Sequence, residues 1–474
     1  MNGTYRIVGG HRLSGTVLPI QNKNSLMAAL PVAVMCDRPV RFRDLAATSD
    51  VETFLSIYRH WGADVDTDGQ DVTIDCRPVS SYRVDADLGS RFRAPVLFVG
   101  PLLARFGVAE LPMPGGCRLG QRALETHIAA FRALGVTVEE VDGYLRFTAP
   151  RGDRPRPTVW LPEASVTATE NVAMYAAGTG TNVEIVDAAC EPHVRDLLDL
   201  LCDLGAQIEG INTNRVTVTA GIDGKTETVD FRPSPDHVDI SGFIVAAGMT
   251  AGRIRIRGAN LPDIMTGLVD WFERFGLTIT RDGADLIADG TDELFLNAEL
   301  LPSAAPGLPK LAVRPWPGFP TDVLPVMVSL ACKMNGRILF QNWMYEHGLN
   351  FVHQLNQLGA DIELLDSQRV VVPEPPTLFH GGEVTPPEVI QSVKALFLAA
   401  LADPAETVIH GTDILRRRYP DVITVYRSLG AQIEHVHAPN GHNGNGSLGG
   451  VSLPTGAELS AGADVSTDVG AASL

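Results

Sequence analysis

The chain repeats one unit six times, and this repeat limits the folds that the sequence can form. In each copy a helical segment ends at a glycine and leads directly into a strand, as in Tyr58–Val65 and Phe131–Val138. The six glycines are 73, 70, 71, 83 and 71 residues apart and lie at Gly62, Gly135, Gly205, Gly276, Gly359 and Gly430. Glycine at this position allows the left-handed turn that closes a helix. A unit of about 70 residues is too large for a solenoid repeat, so we expect packed α/β modules.

The other half of each unit is a helix rich in small apolar residues, followed by a second strand. Examples are residues 26–36 before 40–43, 243–249 before 254–257, and 323–331 before 338–340. Because Ala and Gly allow close packing, we expect these helices in the interior and the glycine-terminated helices outside. Three units per domain then predict two similar α/β domains with a cleft between them.

The joint between the domains is predicted at the proline-rich stretch Phe231–Asp236. The strand Tyr5–Val8 precedes the first helix, and we expect it to pair with the far domain. The end of the chain is rich in Gly, Asn, Ser and Ala and has no aromatic residue, which predicts disorder. The predicted parts are a first domain over 23–234, a second domain over 1–22 with 235–436, and a disordered tail over 437–474.

Composition indicates a soluble globular protein of the cytoplasm. The chain has 474 residues, of which 45% are apolar and 20% charged, and this length suits two domains. No apolar run approaches the roughly 20 residues of a membrane helix, and the N-terminus lacks a signal-peptide pattern. Six scattered cysteines without a Cys-x-x-Cys pair favour reduced thiols and no metal site. A net charge of −18 argues against binding to nucleic acid.

One cysteine lies in a setting that favours reactivity. Cys117 stands in the Pro/Gly-rich segment Leu111–Arg122, with Arg118 and Arg122 close behind it. Neighbouring cations favour the thiolate and lower a cysteine pKa below about 8.5. The same arginines would hold an anionic substrate against the sulfur. The alternative is a surface loop in which the cysteine has no role.

A second candidate site is the start of the first helix. Lys23 and Asn24 stand at its N-terminus, where main-chain donors and the helix dipole favour an anion. A solvated capping lysine is the alternative. Arg93, at the start of another apolar helix, would add an anion contact or have no role.

The second domain offers a base and a cationic cluster. Asp322 ends the stiff loop Trp316–Asp322 just before a helix, which suits either a capping carboxylate or a general base facing the cleft. Arg416–Arg418 is a basic run in an acidic chain, and it is either a solvated turn or a clamp on an anion.

These segments together resemble one family. The combination is Lys23–Asn24, Gly100–Gly107 followed by Pro114–Cys117, and Phe319–Asp322, in a chain of six units. It closely resembles the enolpyruvyltransferases, an EPSP synthase-like family, and within it the UDP-N-acetylglucosamine 1-carboxyvinyltransferases. The similarity runs from about residue 4 to residue 436. It implies two inside-out α/β-barrel domains, and transfer of the enolpyruvyl group of phosphoenolpyruvate to an acceptor hydroxyl with release of phosphate.

The resemblance implies a role for each residue that matches a family motif. The predicted catalytic residues are Cys117, Asp322 and Lys23. The predicted phosphoenolpyruvate ligands are Lys23, Arg122 and Arg417. The predicted acceptor contacts are Asn24, Arg93, Arg122, Ala123, Leu124, Glu125, Ser165, Asp322 and Met344. The resemblance implies neither metal nor cofactor, since phosphoenolpyruvate is a co-substrate, and it leaves the oligomeric state open.

The chain departs from the family pattern on the acceptor side. Residues 122–127 read Arg-Ala-Leu-Glu-Thr-His where the family has Arg-Pro-Val-Asp-Leu-His. Glu163 replaces a lysine that meets the nucleotide diphosphate, and a carboxylate there would repel it. Gly348 and Gln391 stand at the positions of two phosphoenolpyruvate-binding arginines, and Lys394 is a candidate to compensate.

These departures favour a specialised acceptor. Family members of the nikkomycin and polyoxin antibiotic pathways transfer enolpyruvate to the 3′-hydroxyl of UMP, which has a single phosphate. The sequence therefore predicts transfer to UMP or a similar uridine nucleotide. The alternatives are transfer to UDP-N-acetylglucosamine in peptidoglycan synthesis and a non-catalytic nucleotide-binding paralogue.

Overall fold

The computed structural model describes residues 3–90, 93–113, 124–152, 157–224 and 229–436. Three predicted site residues, Cys117, Arg122 and Ala123, lie outside the described residues. The predicted disordered tail, 437–474, also lies outside them, so both sets of expectations stay predictions.

Helices follow both halves of the repeated unit. The α-helices are Lys23–Ala29 (α1), Ser49–His60 (α2), Ala86–Gly89 (α3), Val99–Phe106 (α4), Glu125–Ala133 (α5), Val166–Thr179 (α6), Pro192–Asp203 (α7), His237–Met249 (α8), Pro262–Arg274 (α9), Leu324–Ala331 (α10), Val352–Gln357 (α11), Ile390–Ala402 (α12) and Val422–Ser428 (α13). Short 3₁₀ segments cover Leu30–Met35, Ala94–Phe98, Ala298–Leu300 and Thr412–Arg417. The helix predicted over 26–36 is thus α1 plus a 3₁₀ segment, because Pro31 lacks the N–H that would continue the α-helical pattern.

Strands separate the helices. They are Thr4–Val8 (β1), Ser14–Val17 (β2), Val40–Phe42 (β3), Asp64–Asp68 (β4), Asp71–Asp75 (β5), Val108–Pro112 (β6), Thr137–Val141 (β7), Tyr144–Thr148 (β8), Thr158–Trp160 (β9), Val183–Val186 (β10), Gln207–Glu209 (β11), Arg215–Ala220 (β12), Val229–Phe231 (β13), Arg253–Ile256 (β14), Thr278–Asp282 (β15), Asp285–Asp289 (β16), Ser303–Ala305 (β17), Leu308–Ala312 (β18), Ile338–Gln341 (β19), Glu363–Leu364 (β20), Arg369–Val372 (β21), Gly382–Val384 (β22), Glu406–His410 (β23) and Gln432–Val436 (β24).

The sheets repeat one pattern, as the six copies in the sequence predict. Within the described ranges, five sheets contain a parallel pair followed by two antiparallel neighbours. Their orders are β13-β3-β5-β4, β9-β10-β12-β11, β2-β14-β16-β15, β22-β23-β1-β24 and β18-β19-β21-β20, the last extended by β17. The sixth, β6-β8-β7, is antiparallel, and an isolated parallel bridge between Arg83 and Glu110 stands where the parallel strand would lie.

The repeated glycines end their helices as predicted. All six have positive φ angles, from 77° at Gly135 to 110° at Gly359. L-residues with a side chain are strained in this region, whereas glycine is not. The glycine therefore fixes the point at which each outer helix turns into its strand.

The small-residue helices lie inside, again as predicted. Every residue of α8 and of α10 is buried, and α8, α10 and α12 pack against one another. α4 and α6 pack in the same way in the other half of the chain. The sheets that flank these helices stay separate in the described part of the chain and do not close into one continuous barrel. The architecture confirms the predicted α/β class with helices inside and sheets outside.

Two hydrophobic clusters divide the molecule. One draws on residues from Leu26 to Phe231, and we call the part built around it the N-lobe. The other combines Tyr5–Val17 with Val238–Ile433, and we call that part the C-lobe. As predicted, β1 pairs with far strands, since it lies between β23 and β24. The predicted domain boundaries, 23–234 for the first domain and 1–22 with 235–436 for the second, stay a prediction.

Candidate active site

A group of opposite charges joins the two lobes at the start of α1. Asn22 caps α1 by accepting hydrogen bonds from the backbone of Asn24 and Ser25, and this places Lys23 in the first turn. The Lys23 Nζ atom lies 2.5 Å from Oδ2 of Asp50 on α2. Arg417, from the C-lobe, donates from Nε to Oδ1 of Asp50 at 2.9 Å. We call Lys23, Asp50 and Arg417 the cationic cluster.

The cationic cluster carries one positive charge in excess. Burial alone would raise the pKa of the Asp50 carboxyl, but Lys23 and Arg417 outweigh it and hold that pKa below its usual range. Burial lowers the pKa of the Lys23 ammonium, and Asp50 opposes that effect. Two cations thus share one ionised carboxylate, and the remaining positive charge suits an anionic ligand.

A second group lies beside the first in sequence but has the opposite balance. Arg418 donates from Nε and Nη2 to the two carboxylate oxygens of Asp236, at 2.9 and 2.8 Å. Its Nη1 atom donates to Oδ2 of Asp322 at 3.4 Å. We call Arg418, Asp236 and Asp322 the acidic cluster. Two carboxylates share one guanidinium here, so one negative charge is in excess.

Asp322 does not cap a helix. The capping position of α10 is Val323, which makes no side-chain cap, so the expected N-cap or first-turn place of Asp322 was wrong by one residue. Pro320 and Thr321 accept the backbone hydrogen bonds that start the turn. The Asp322 carboxylate is therefore not used to cap the helix, and it accepts a hydrogen bond from Arg418. Of the Asp322 side chain, 26% is exposed.

Histidine and glutamate side chains from both lobes lie near the acidic cluster. Burial lowers the pKa of His193 to about 3 and also lowers the pKa of His237, so both rings are neutral at pH 7. Burial raises the pKa of Glu191, and the charge of Asp322 adds to this effect. Trp316 lies against His237, with ring centroids 5.8 Å apart, and its carbonyl accepts a hydrogen bond from the Cys190 thiol.

The predicted acceptor contacts of the N-lobe gather near the start of α5. Leu124 precedes this helix and is buried, whereas Glu125 is its first residue and is exposed. His127 is 1% exposed, and burial lowers its pKa to about 3, with the nearby Arg93 charge acting in the same direction. The structure therefore brings Arg93 close to α5.

Glu163 lies next to the same helix. Its Oε1 atom accepts a hydrogen bond from the Thr126 hydroxyl at 3.1 Å, and its side chain is exposed. Ser165, two residues on, caps α6 by accepting a hydrogen bond from the backbone of Ala168. The residue that departs from the family lysine is thus held beside residues predicted to contact the acceptor.

The two substituted positions of the C-lobe, Gly348 and Gln391, and the candidate replacement Lys394 have different surroundings. A Cβ atom at Gly348 would lie 2.2 Å from Nδ2 of Asn342, so the amide occupies the space that a side chain would need. Gln391 lies in the first turn of α12 and is partly exposed. Lys394 is 2% exposed, and its Nζ atom lies 4.4 Å from the ring centroids of both Tyr419 and Tyr426. In this arrangement Lys394 offers no atom to a ligand between the lobes.

Met344 packs at the edge of the C-lobe cluster and is partly exposed. Sequence reasoning named Lys23, Asp322 and Arg417 but missed Asp50 and Asp236. Each of these aspartates resembles an ordinary helix-start carboxylate, and only their partners distinguish them. Across the described ranges, no helix combines the length and apolarity needed to span a membrane.

Comparisons with known proteins agree with this architecture. A family model described as EPSP synthase (3-phosphoshikimate 1-carboxyvinyltransferase) matches residues 7–434. The chain is 34% identical to UDP-N-acetylglucosamine 1-carboxyvinyltransferase of Bradyrhizobium diazoefficiens, over 91% of this chain and 98% of that protein. It is 33% identical to the protein of the same name from Treponema denticola, with the same coverage.

A solved structure shares the fold. The enolpyruvyl transferase NikO from Streptomyces tendae matches with a TM-score of 0.79 and 24% identity, covering 93% of this chain and 100% of that chain. The family match and the full-length relatives confirm the resemblance that the motifs predicted. The chain belongs to the EPSP synthase family and is an enolpyruvyltransferase.

Proposed function

We propose that this enolpyruvyltransferase uses a uridine nucleotide as its acceptor, and that the acceptor is UMP, at its 3′-hydroxyl. The observation on which this depends is the exposed Glu163 carboxylate, held by Thr126 at the start of α5. A carboxylate beside a diphosphate is repulsive, whereas an acceptor with one phosphate has less charge to place there.

The cationic cluster supports the binding of phosphoenolpyruvate. Its excess positive charge and the 35% exposed Arg417 side chain offer an anion a charged and reachable partner. Arg122 would complete the set of ligands. Lys23, buried against Asp50, would hold the phosphate as a fixed point charge.

The proposed chemistry uses an acid and a base. Cys117 would give a proton to C3 of phosphoenolpyruvate, or form a transient adduct through its sulfur. Protonation leaves a cation-like centre at C2, and the acceptor oxygen bonds to C2 while Asp322 takes the hydroxyl proton. Loss of a proton from C3 and of phosphate from C2 then restores the double bond. The products are the enolpyruvyl ether and phosphate.

A second acceptor has specific support. The full-length relatives at 34% and 33% identity are named UDP-N-acetylglucosamine 1-carboxyvinyltransferases. If that acceptor is used, Glu163 must turn away from the diphosphate, which an exposed side chain can do at small cost.

Phosphate release separates the two acceptors. We expect release with phosphoenolpyruvate and UMP, and none with 3′-deoxy-UMP, which lacks the reacting hydroxyl. Release with UDP-N-acetylglucosamine but not with UMP would contradict the proposal.

A charge reversal tests the role of Glu163. We expect Glu163→Lys to raise kcat/KM for UDP-N-acetylglucosamine by roughly 3- to 10-fold, because an exposed charge contributes modestly. The matched control is Glu140→Lys, which reverses an exposed glutamate on β7. Equal effects of the two changes on kcat/KM would show that the overall charge of the protein, and not the position of Glu163, determines the preference between acceptors.

A further inference from the structure

We propose that Arg418 is a positioning residue for Asp322: it holds one oxygen of that carboxylate so that the other faces the acceptor hydroxyl. The inference rests on the proposed function, since it takes Asp322 as the base. Arg418 itself touches neither substrate in this proposal, and it acts through Asp322.

The anchor of Arg418 is rigid. Asp236 is fully buried, and it caps α8 by accepting a hydrogen bond from the backbone of Val238 at 2.9 Å. Its own backbone N–H donates to the carbonyl of Ile20 at 2.8 Å. Arg418 is 2% exposed and lies at the end of the 3₁₀ segment Thr412–Arg417. A buried guanidinium bound at two points to a fixed carboxylate has little freedom to rotate.

The planar guanidinium then determines where its remaining donor points. Nε and Nη2 form one edge of the group, and both are used by Asp236. Nη1 lies on the other side and meets Oδ2 of Asp322 at 3.4 Å. Lysine, with a single ammonium, could not serve both carboxylates in this geometry.

Asp322 has few other restraints. In the described part of the chain, the Arg418 bond is the only hydrogen bond to its carboxylate, and Asp322 does not cap α10. Oδ1 is left for the acceptor hydroxyl, and the side chain is 26% exposed.

The alternative is that Arg418 serves only to neutralise the buried Asp236. A buried carboxylate without its partner is strongly destabilising, so simple removal of Arg418 could unfold the protein. Arg418→Lys keeps a positive charge against Asp236 and removes the Nη1 donor that meets Asp322. Arg418→Gln combined with Asp236→Asn removes both buried charges together and is the second variant.

The test compares turnover in these variants with the acceptor that the wild-type enzyme uses. We expect both variants to lower kcat roughly 10- to 100-fold, the size expected for loss of one charge-assisted hydrogen bond. KM for phosphoenolpyruvate should change less than about twofold, since the bond lost does not bind that substrate. Arg416→Lys, at the exposed neighbouring arginine, is the matched control and should leave both constants unchanged.

A double-mutant cycle identifies the residue through which Arg418 acts. In an Asp322→Asn background, measured under single-turnover conditions with enzyme in excess, Arg418→Lys should cause no further loss. Unchanged kcat in both Arg418 variants, a loss confined to KM, or an equal further loss in the Asp322→Asn background would each overturn the positioning role and leave the proposed function standing. Full activity of Asp322→Asn would instead overturn the proposed base, and the inference with it.

Discussion

Arg417 and Arg418 are neighbours in the chain, yet they belong to groups of opposite charge balance. Arg417 is 35% exposed and completes the cationic cluster, which spans the two lobes. Arg418 is 2% exposed and completes the acidic cluster within the C-lobe. One arginine is therefore reachable by a ligand, whereas the other is enclosed and fixed.

The difference shows how one short segment can supply two functions. An exposed guanidinium can be reached by an incoming anion, although solvent screens its charge. A buried one loses mobility and gains directional hydrogen bonds, so it suits the orientation of a neighbouring group. The two clusters thus separate substrate binding from the control of a base, and the predictions below test that separation.

The largest expected effect is on the acidic cluster. We expect Asp322→Asn to lower kcat by about 10²- to 10⁴-fold, the usual range for loss of general base catalysis, with little change in phosphoenolpyruvate binding. Rates of phosphate release and the KM for phosphoenolpyruvate measure both quantities. A wild-type kcat in this variant would show that Asp322, and with it the acidic cluster, takes no part in the reaction.

An intermediate effect is expected at the cationic cluster. Arg417→Gln should weaken phosphoenolpyruvate binding roughly 10-fold, since one charge-assisted hydrogen bond is lost at a partly exposed site. Titration calorimetry with phosphoenolpyruvate measures the dissociation constant. Unchanged phosphoenolpyruvate binding with a lower kcat would contradict the proposed difference between the two arginines, because Arg417 would then act like Arg418.

The last prediction concerns the stability of the fold and not the reaction, and it is made at Lys394, whose ammonium interacts with the charge of Arg418. Burial lowers its pKa from 10.5 to about 8, so the folded protein binds fewer protons than the unfolded chain between these pH values. The free energy of unfolding of the wild type should therefore rise with pH across this window. Relative to Lys394→Met, the wild type should gain up to about 3 kcal/mol between pH 8 and 10.5.

Urea unfolding at several pH values measures this gain. If the free energies of unfolding of the wild type and Lys394→Met changed in parallel with pH, the pKa of Lys394 would be the same in the folded and unfolded protein, and the prediction would be wrong. Lys333→Met is a matched control, because Lys333 pairs with Asp403 at 2.9 Å and is not enclosed by aromatic rings.

Much of the fold could be predicted because the repeat is local. Gly62 and its five counterparts mark helix ends through a backbone preference that needs no tertiary contact. The far pairing of Tyr5–Val8 was also predictable, since a strand before the first helix has no local partner. The one-residue error at Asp322 arose because proline and loop geometry, and not capping chemistry, set the start of α10.

Residues of the site could be predicted only where they stand in a recognisable motif. Lys23 and Asp322 stand in recognisable segments, but Arg416, Arg417 and Arg418 are equivalent in sequence. Their different surroundings come from the 3₁₀ turn that exposes Arg416, aims Arg417 at the N-lobe and buries Arg418.

The sequence by itself determined the six-unit architecture, the family and the pairing of a candidate acid with a candidate base, because these depend on local patterns and motifs. Only the tertiary structure decided which carboxylate each arginine meets. Asp50 and Asp236 lie 367 and 182 residues from Arg417 and Arg418. The first ion pair therefore exists only once both lobes have folded, and the second only once the C-lobe has folded. Charge balance at a site is a sum over spatial neighbours, and chain order does not contain that sum.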